Sequence, residues 1–187
     1  MNKWVLSFFA VFSLFIVIFV NLNNNSDANI RTNTELDNVS NAEMELVIEE
    51  NPDIFPMRIA LANRYFDTVD YSKALPHFMY VAENSTDIEL KSYSLAQIAW
   101  MVYESGNREV AINYLNESIS INPSSVISNS YLGVLYLQEQ STQSKGLDMI
   151  NNLLIGDNLS EEDRSFLEGI IRSEERFSRN AETDIVC

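Results

Sequence analysis

Three stretches of this chain repeat one spacing of small and large apolar residues, and few folds are compatible with that spacing. The first is Leu61-Ala62-x-x-Tyr65, continued by Tyr71-x-x-Ala74-x-x-x-Phe78. The second is Ile98-Ala99-x-x-Val102 with Gly106-x-x-x-x-Ala111-x-x-x-Leu115, and the third is Leu132-Gly133-x-x-Tyr136 with Gly146-x-x-x-Ile150. Ala62, Ala99 and Gly133 lie 37 and 34 residues apart, and the steps Ala62 to Ala74 and Ala99 to Ala111 are both 12 residues. A period near 34 with small residues at fixed offsets marks a solenoid of helical hairpins. Ala or Gly is expected where two helices cross, because closely approaching backbones leave no room for a longer side chain. Leu61, Tyr65, Phe78, Leu115 and Tyr136 are then the fillers of the layers between.

Local signals place the helices. Ser40 and Glu43 fit a capping box ahead of Met44, Val47 and Ile48, and Asn51-Pro52 stops that helix. Asn41–Glu50 therefore reads as the second helix of a truncated leading unit. Pair one is expected at Phe55–Asp67 and Tyr71–Asn84, pair two at Ile88–Glu104 and Arg108–Ile121, and pair three at Val126–Glu139 and Ser144–Leu154. Pro76 removes one backbone hydrogen bond inside its helix and is expected to kink it near Ser72–Pro76 without breaking it. A last helix starts at Ser160-Glu161-Glu162-Asp163, with acids in its first turn where the helix dipole favours them. Its apolar stripe is Phe166, Leu167, Ile170 and Ile171, and Glu174, Glu175, Arg176 and Arg179 make its far end polar, as a terminal cap needs.

The amino-terminal end is of another kind. Trp4–Val20 contains no charge, Gly or Pro. As a helix it would span about 26 Å, close to the ~30 Å hydrocarbon core of a bilayer. We expect a transmembrane anchor over 1–20; the alternative is a cleaved signal peptide, whose apolar region is normally shorter. Lys3 precedes the run and the next basic residue is Arg31, so the amino terminus is expected in the cytoplasm and the remainder outside it. Residues 21–40 are rich in Asn, Ser, Thr and Asp and read as a solvated tether, 41–180 as the repeat domain and 181–187 as a flexible tail.

Charge narrows the partners. Beyond the apolar run lie all 27 acidic residues and 11 of the 12 basic ones, a formal charge of −16. Glu35 to Asp53 holds seven acids and no base. Such a surface repels phosphate backbones and anionic headgroups, so nucleic acid is not an expected partner and basic or neutral proteins are. The single cysteine, Cys187, gives no disulfide framework.

The repeated motifs resemble the tetratricopeptide repeat family over about residues 41–154. Phe55–Thr86 matches best through its Tyr-x-x-Ala-x-x-x-Phe run, and Gly106, Ala111 and Pro123 carry the second unit. In the third, Ser141–Lys145 holds one extra residue and Gly146 replaces the usual Ala. The resemblance implies an all-α fold: a right-handed superhelix of antiparallel helix pairs, closed by a terminal capping helix, with a concave groove that binds peptides or partner helices. A membrane anchor ahead of such a domain is also similar to accessory factors of bacterial cytochrome c maturation and protein export, a likeness of architecture alone.

In that reading the first helix of each pair lines the groove. The expected lining is Ile59, Asn63 and Phe66, then Ala96, Trp100 and Tyr103, then Ser130, Val134 and Leu137. An aromatic, largely uncharged face suits an apolar peptide or an amphipathic helix. Trp100 and Tyr103 are the anchor candidates, and Asn63 could hold a peptide backbone through its amide. The bland alternative is that these residues are core, packed against a terminal helix folded back into the groove. Some family members grip a terminal carboxylate with paired Lys and Asn, but Lys73, Lys91 and Lys145 fall off these faces.

Other chemistries find little support. His77 is the only histidine and has no Ser or Cys context for nucleophilic catalysis; an ordinary polar contact on a helix face is expected. One His and one terminal Cys cannot build a zinc site. Glu49/Glu50 and Glu174/Glu175 are adjacent in sequence and diverge around a helix, which fits solvated faces. No catalytic residue, cofactor or metal is expected. The expected function is a membrane-anchored scaffold holding a protein or peptide outside the cytoplasm, and the alternative is a structural spacer or homo-oligomeric assembly subunit.

Overall fold

A computed structural model describes residues 38–156 and 159–184. The Trp4–Val20 run, most of the expected tether and Cys187 lie outside them. Among the described residues the regular structure is entirely α-helical. The helices are α1 (Asn41–Glu50), α2 (Phe55–Asp67), α3 (Tyr71–Asn84), α4 (Ile88–Glu104), α5 (Arg108–Ile121), α6 (Val126–Leu137), α7 (Gln143–Ile155) and α8 (Glu161–Asp184). None of them is long and apolar enough to cross a membrane. The chain divides into two compact units, one holding α1–α7 and the other α8.

Helix starts follow the caps written in the sequence. Ser40 Oγ accepts from the Glu43 amide at 3.3 Å while the Glu43 carboxylate accepts from the Ser40 amide at 2.8 Å, a complete capping box. The Ser40 hydroxyl, donating to the same carboxylate at 2.7 Å, and then the Ser40 amide hold the exposed Glu43 carboxyl below its ordinary proton affinity. Asp87, Asn107 and Ser125 cap α4, α5 and α6 through their side chains. Helix α3 runs unbroken through Pro76. Ends deviate more than starts: α6 stops at Leu137, two residues before the expected Glu139, and α7 is one residue longer at each end. The α6–α7 turn, 138–142, is consequently five residues long, whereas the turns at 68–70 and 105–107 have three. Thr142 closes it by donating to the Tyr136 carbonyl at 2.8 Å. Helix α8 continues to Asp184, through much of the stretch expected as tail.

Each helix of the larger unit packs on the next in sequence, and the first helices also meet, α2 with α4 and α4 with α6. This is a stack of hairpins whose first helices form one continuous layer. The small residues sit where closeness requires them. Ala62, Ala74, Ala99 and Ala111 have no exposed surface. A Cβ on Gly146 would come within 2.7 Å of the Gly133 carbonyl oxygen and 2.8 Å of the Leu137 amide nitrogen, so the α6–α7 crossing is a backbone-to-backbone contact. Leu61, Phe78, Leu115 and Ile150 fill the spaces beside these crossings and are fully buried. Helix α1 lays Met44 and Ile48 on Ala60 and Leu61, with Val39, Met57 and Tyr65 at the margin. In α8, Leu167 is buried, and Phe166, Ile170 and Ile171 are half-buried.

Candidate functional site

The expected groove residues come from α2, α4 and α6, the layer of first helices. Of the nine, Ile59, Asn63, Phe66, Ala96, Trp100, Ser130, Val134 and Leu137 are buried and only Tyr103 is half-buried. Their neighbours explain the burial. Phe66 lies 5.2 Å from the Tyr71 ring and edge-on to Phe78 at 6.2 Å. Trp100 lies 4.8 Å from Tyr131 and 5.3 Å from Tyr103. Offset and edge-on ring pairs of this kind add to the stability that area burial supplies. The face is therefore aromatic, as its residue types require, but its rings are engaged with one another.

Asn63 is likewise occupied. Its Oδ1 accepts from the Tyr93 hydroxyl at 2.9 Å, and the same hydroxyl accepts from the Gln97 amide at 2.7 Å. An Asn whose acceptor is held inside the array is a structural link between α2 and α4 before it is a peptide clamp. The phenols behind this face sit away from water: burial pushes Tyr71 up to about 12 and raises Tyr93 and Tyr131 well above the ordinary phenol range. Gln97 Oε1, Ser94 Oγ and Tyr131 OH have no hydrogen-bond partner among the described residues. Tyr103 is the accessible member: its hydroxyl donates to Gln138 Oε1 at 2.8 Å, linking the ends of α4 and α6.

Two polar constructions were not legible as sites in the sequence. One is a relay of serines where three helices meet. Ser118 Oγ donates to the Ser92 carbonyl at 2.7 Å, Ser118 and Ser128 share a hydrogen bond at 2.7 Å, and Ser125 and Ser128 share another at 2.8 Å. Serines are common, and only the repeat offset of Ser118, at a position facing the core, hints at burial.

The other centres on His77, expected as an ordinary contact on a helix face. It is buried instead, between Arg58 and Glu45. Arg58 Nη1 stands 3.5 Å from His77 Nδ1, and His77 Nε2 stands 3.5 Å from Glu45 Oε1. Arg58 is buried too, with its guanidinium 4.0 Å from the centre of the Tyr80 ring and its Nε donating to the Pro52 carbonyl at 3.0 Å. Tyr65 stacks on the imidazole at 6.1 Å and donates its hydroxyl to Glu45 at 3.1 Å. Tyr80 donates to Asp53 at 2.9 Å, and Lys73 pairs with Asp70 at 3.2 Å with its ammonium 5.2 Å from the Tyr65 ring. Burial lowers the proton affinity of His77; Glu45 opposes that, and Arg58 adds a smaller lowering. Burial likewise raises Tyr65. A guanidinium only donates, so Nδ1 is the acceptor and the imidazole hydrogen sits on Nε2, facing Glu45.

Among the described residues no group of three or more His, Cys, Asp or Glu side chains is placed to hold a metal ion. No protein-family model, no curated protein and no solved structure matches the chain.

Proposed function

We propose that this chain is a membrane-anchored scaffold of the tetratricopeptide-repeat kind, not an enzyme, which holds a protein or peptide outside the cytoplasm during assembly of an envelope complex. The observation that supports the reading is the continuous layer of first helices α2, α4 and α6, whose shared face carries Phe66, Trp100 and Tyr103. Aromatic side chains on a rigid helical layer are the groups that dominate recognition of a partner segment. The formal charge of −16 beyond the apolar run directs the choice to basic or neutral partners. Tyr103 is the point of first contact, being the one accessible member of the face. A photo-crosslinking amino acid at position 103 of the full chain, in its native membranes, gives a discrete adduct under this reading. The same group at the exposed Asn113 on α5 gives none. Equal labelling at both positions, or none at 103, counts against it.

The burial of eight of the nine face residues favours a second reading, a spacer or self-assembling subunit. Under it the crosslinked product has twice the mass of the chain and survives substitution of Tyr103.

A further inference from the structure

One corner of the aromatic face is more negative than the rest of it. Tyr93, Gln97, Trp100 and Glu104 follow one another at steps of 4, 3 and 4 residues and so share one stripe of α4. Asn63 and Asp67 form a matching stripe on α2, joined to the first by the hydrogen bond from Tyr93 to Asn63. Each stripe ends in a carboxylate on the last residue of its helix, where the helix dipole is already negative. The hydrogen bond from Tyr103 to Gln138 brings the carboxyl end of α6 beside that of α4, and neither last turn contains a basic residue.

The described basic residues near this corner are already engaged. Arg108 pairs with Glu139 at 2.9 Å and donates to the Leu135 carbonyl, Arg64 donates to the Val39 carbonyl and to Asn41, and Lys73 pairs with Asp70. Glu104 makes no hydrogen bond or ion pair among the described residues. Burial raises its proton affinity, and no cation offsets that. It lies within electrostatic reach of Tyr71 and Tyr103, both half-buried. Deeper on the same stripe, Gln97 has no exposed surface, yet its Oε1 lacks a donor. The buried Tyr131 hydroxyl, within electrostatic reach of Tyr71 and Asp67, is unpartnered as well. Phenol rings, a carboxylate and unfilled acceptors at the negative ends of helices are surroundings that stabilise a positive charge.

We propose, resting on the scaffold reading, that this corner receives one cationic side chain of the partner, a Lys ammonium or an Arg guanidinium, which pairs with Glu104 and lies against the rings of Tyr71 and Tyr103. Trp100, 5.3 Å from Tyr103, supports that ring from beneath. Glu104 has already lost part of its hydration in the free chain, so pairing costs it less further desolvation than it would cost an open carboxylate.

Side-chain analogues test the site directly. Trp100 is one of two tryptophans, so its indole N–H signal in NMR reports the corner, and Trp4 is the internal control. The full chain in micelles of an uncharged detergent is titrated with butylammonium, butylguanidinium and butan-1-ol. Either cation is expected to shift the Trp100 signal saturably at millimolar concentration, to leave Trp4 unmoved and to bind more weakly at high salt. The tighter of the two identifies Lys or Arg as the source. Butan-1-ol, similar in size but uncharged, should give no saturable shift. Glu104→Gln, isosteric at an exposed position, should weaken the cation by about fivefold, and Tyr103→Leu by a similar factor. Equal response to butan-1-ol and to the cations, or undiminished binding in Glu104→Gln, would overturn the proposal. An adduct at position 103 in native membranes without cation binding sinks this site and leaves the scaffold reading standing; cation binding without an adduct does the reverse.

Discussion

The leading hairpin, α2–α3, and the trailing hairpin, α6–α7, solve one packing problem in opposite ways. The trailing pair closes by bare backbone contact, Gly133 against Gly146, with Leu137 and Ile150 tight around them. The leading pair keeps Ala62 and Ala74 at the equivalent positions and buries Arg58 and His77 beside Tyr65 and Tyr80. Dispersion and close approach hold one end, and a charged, directional cluster holds the other. An apolar contact is indifferent to pH, whereas a buried imidazole between a cation and a carboxylate is not. Of the two hairpins only the leading one buries a histidine.

The largest test of this contrast is Gly146→Ala. Its Cβ would meet backbone atoms of α6 that cannot rotate away, so destabilisation of about 2–3 kcal/mol is expected from urea unfolding of the full chain. Gly133→Ala meets Ile150 Cγ1 at 2.9 Å, a side chain that can shift, and should cost less. Equal losses would mean that the crossing relaxes as a whole and is not set by backbone contact.

Ser118→Ala, at the junction of α4, α5 and α6, removes the buried hydrogen bonds to the Ser92 carbonyl and the Ser128 hydroxyl. The expected loss is about 1–2 kcal/mol. A neutral result would place water in the relay.

The turns sharpen the comparison further. Val69 has φ 60° and Gly106 has φ 90°, and each is the middle residue of its three-residue turn. A β-branched residue in the left-handed region is strained, and Val69 has no burial to offset it at 67% exposed. Val69→Gly should stabilise the leading hairpin by about 1 kcal/mol even after the entropy lost by glycine, and Gly106→Ala should destabilise the second by a similar amount. Thermal unfolding of both variants checks the pair of opposite signs.

The smallest effect is the pH dependence of global stability. Because the fold depresses the proton affinity of His77, stability should decline on acidification below about 6.5 in the unmodified chain and less so in His77→Gln. Identical profiles would return His77 to the role of an inert buried contact.

The positions of α1–α7 were legible to within two residues because caps and breakers are local chemistry. Ser40 and Glu43 bond each other across three residues, and Asn51-Pro52 cannot continue a helix whatever surrounds it. The role of Gly146 was readable as well, since the repeat offset places it opposite Gly133. The candidate site was less legible. Periodicity assigned Ile59, Asn63, Phe66, Ala96, Trp100, Tyr103, Ser130, Val134 and Leu137 to one face, and they do lie on the first helices. But a pattern of residue types does not say how far a face is covered, and all but Tyr103 are buried. Nor could spacing reveal that Glu45, Arg58 and His77 meet, because they lie 13 and 19 residues apart on three different helices.

The amino-acid sequence by itself determined that this protein is built of helices, where they begin, and which positions must be small at the crossings, since these follow from hydrogen bonds and steric limits acting within a few residues. Only the tertiary structure decided which polar groups were buried together. The environment of a charge depends on every element packed around it, and the titration of a lone histidine is coupled to folding only once the fold has buried it between Arg58 and Glu45.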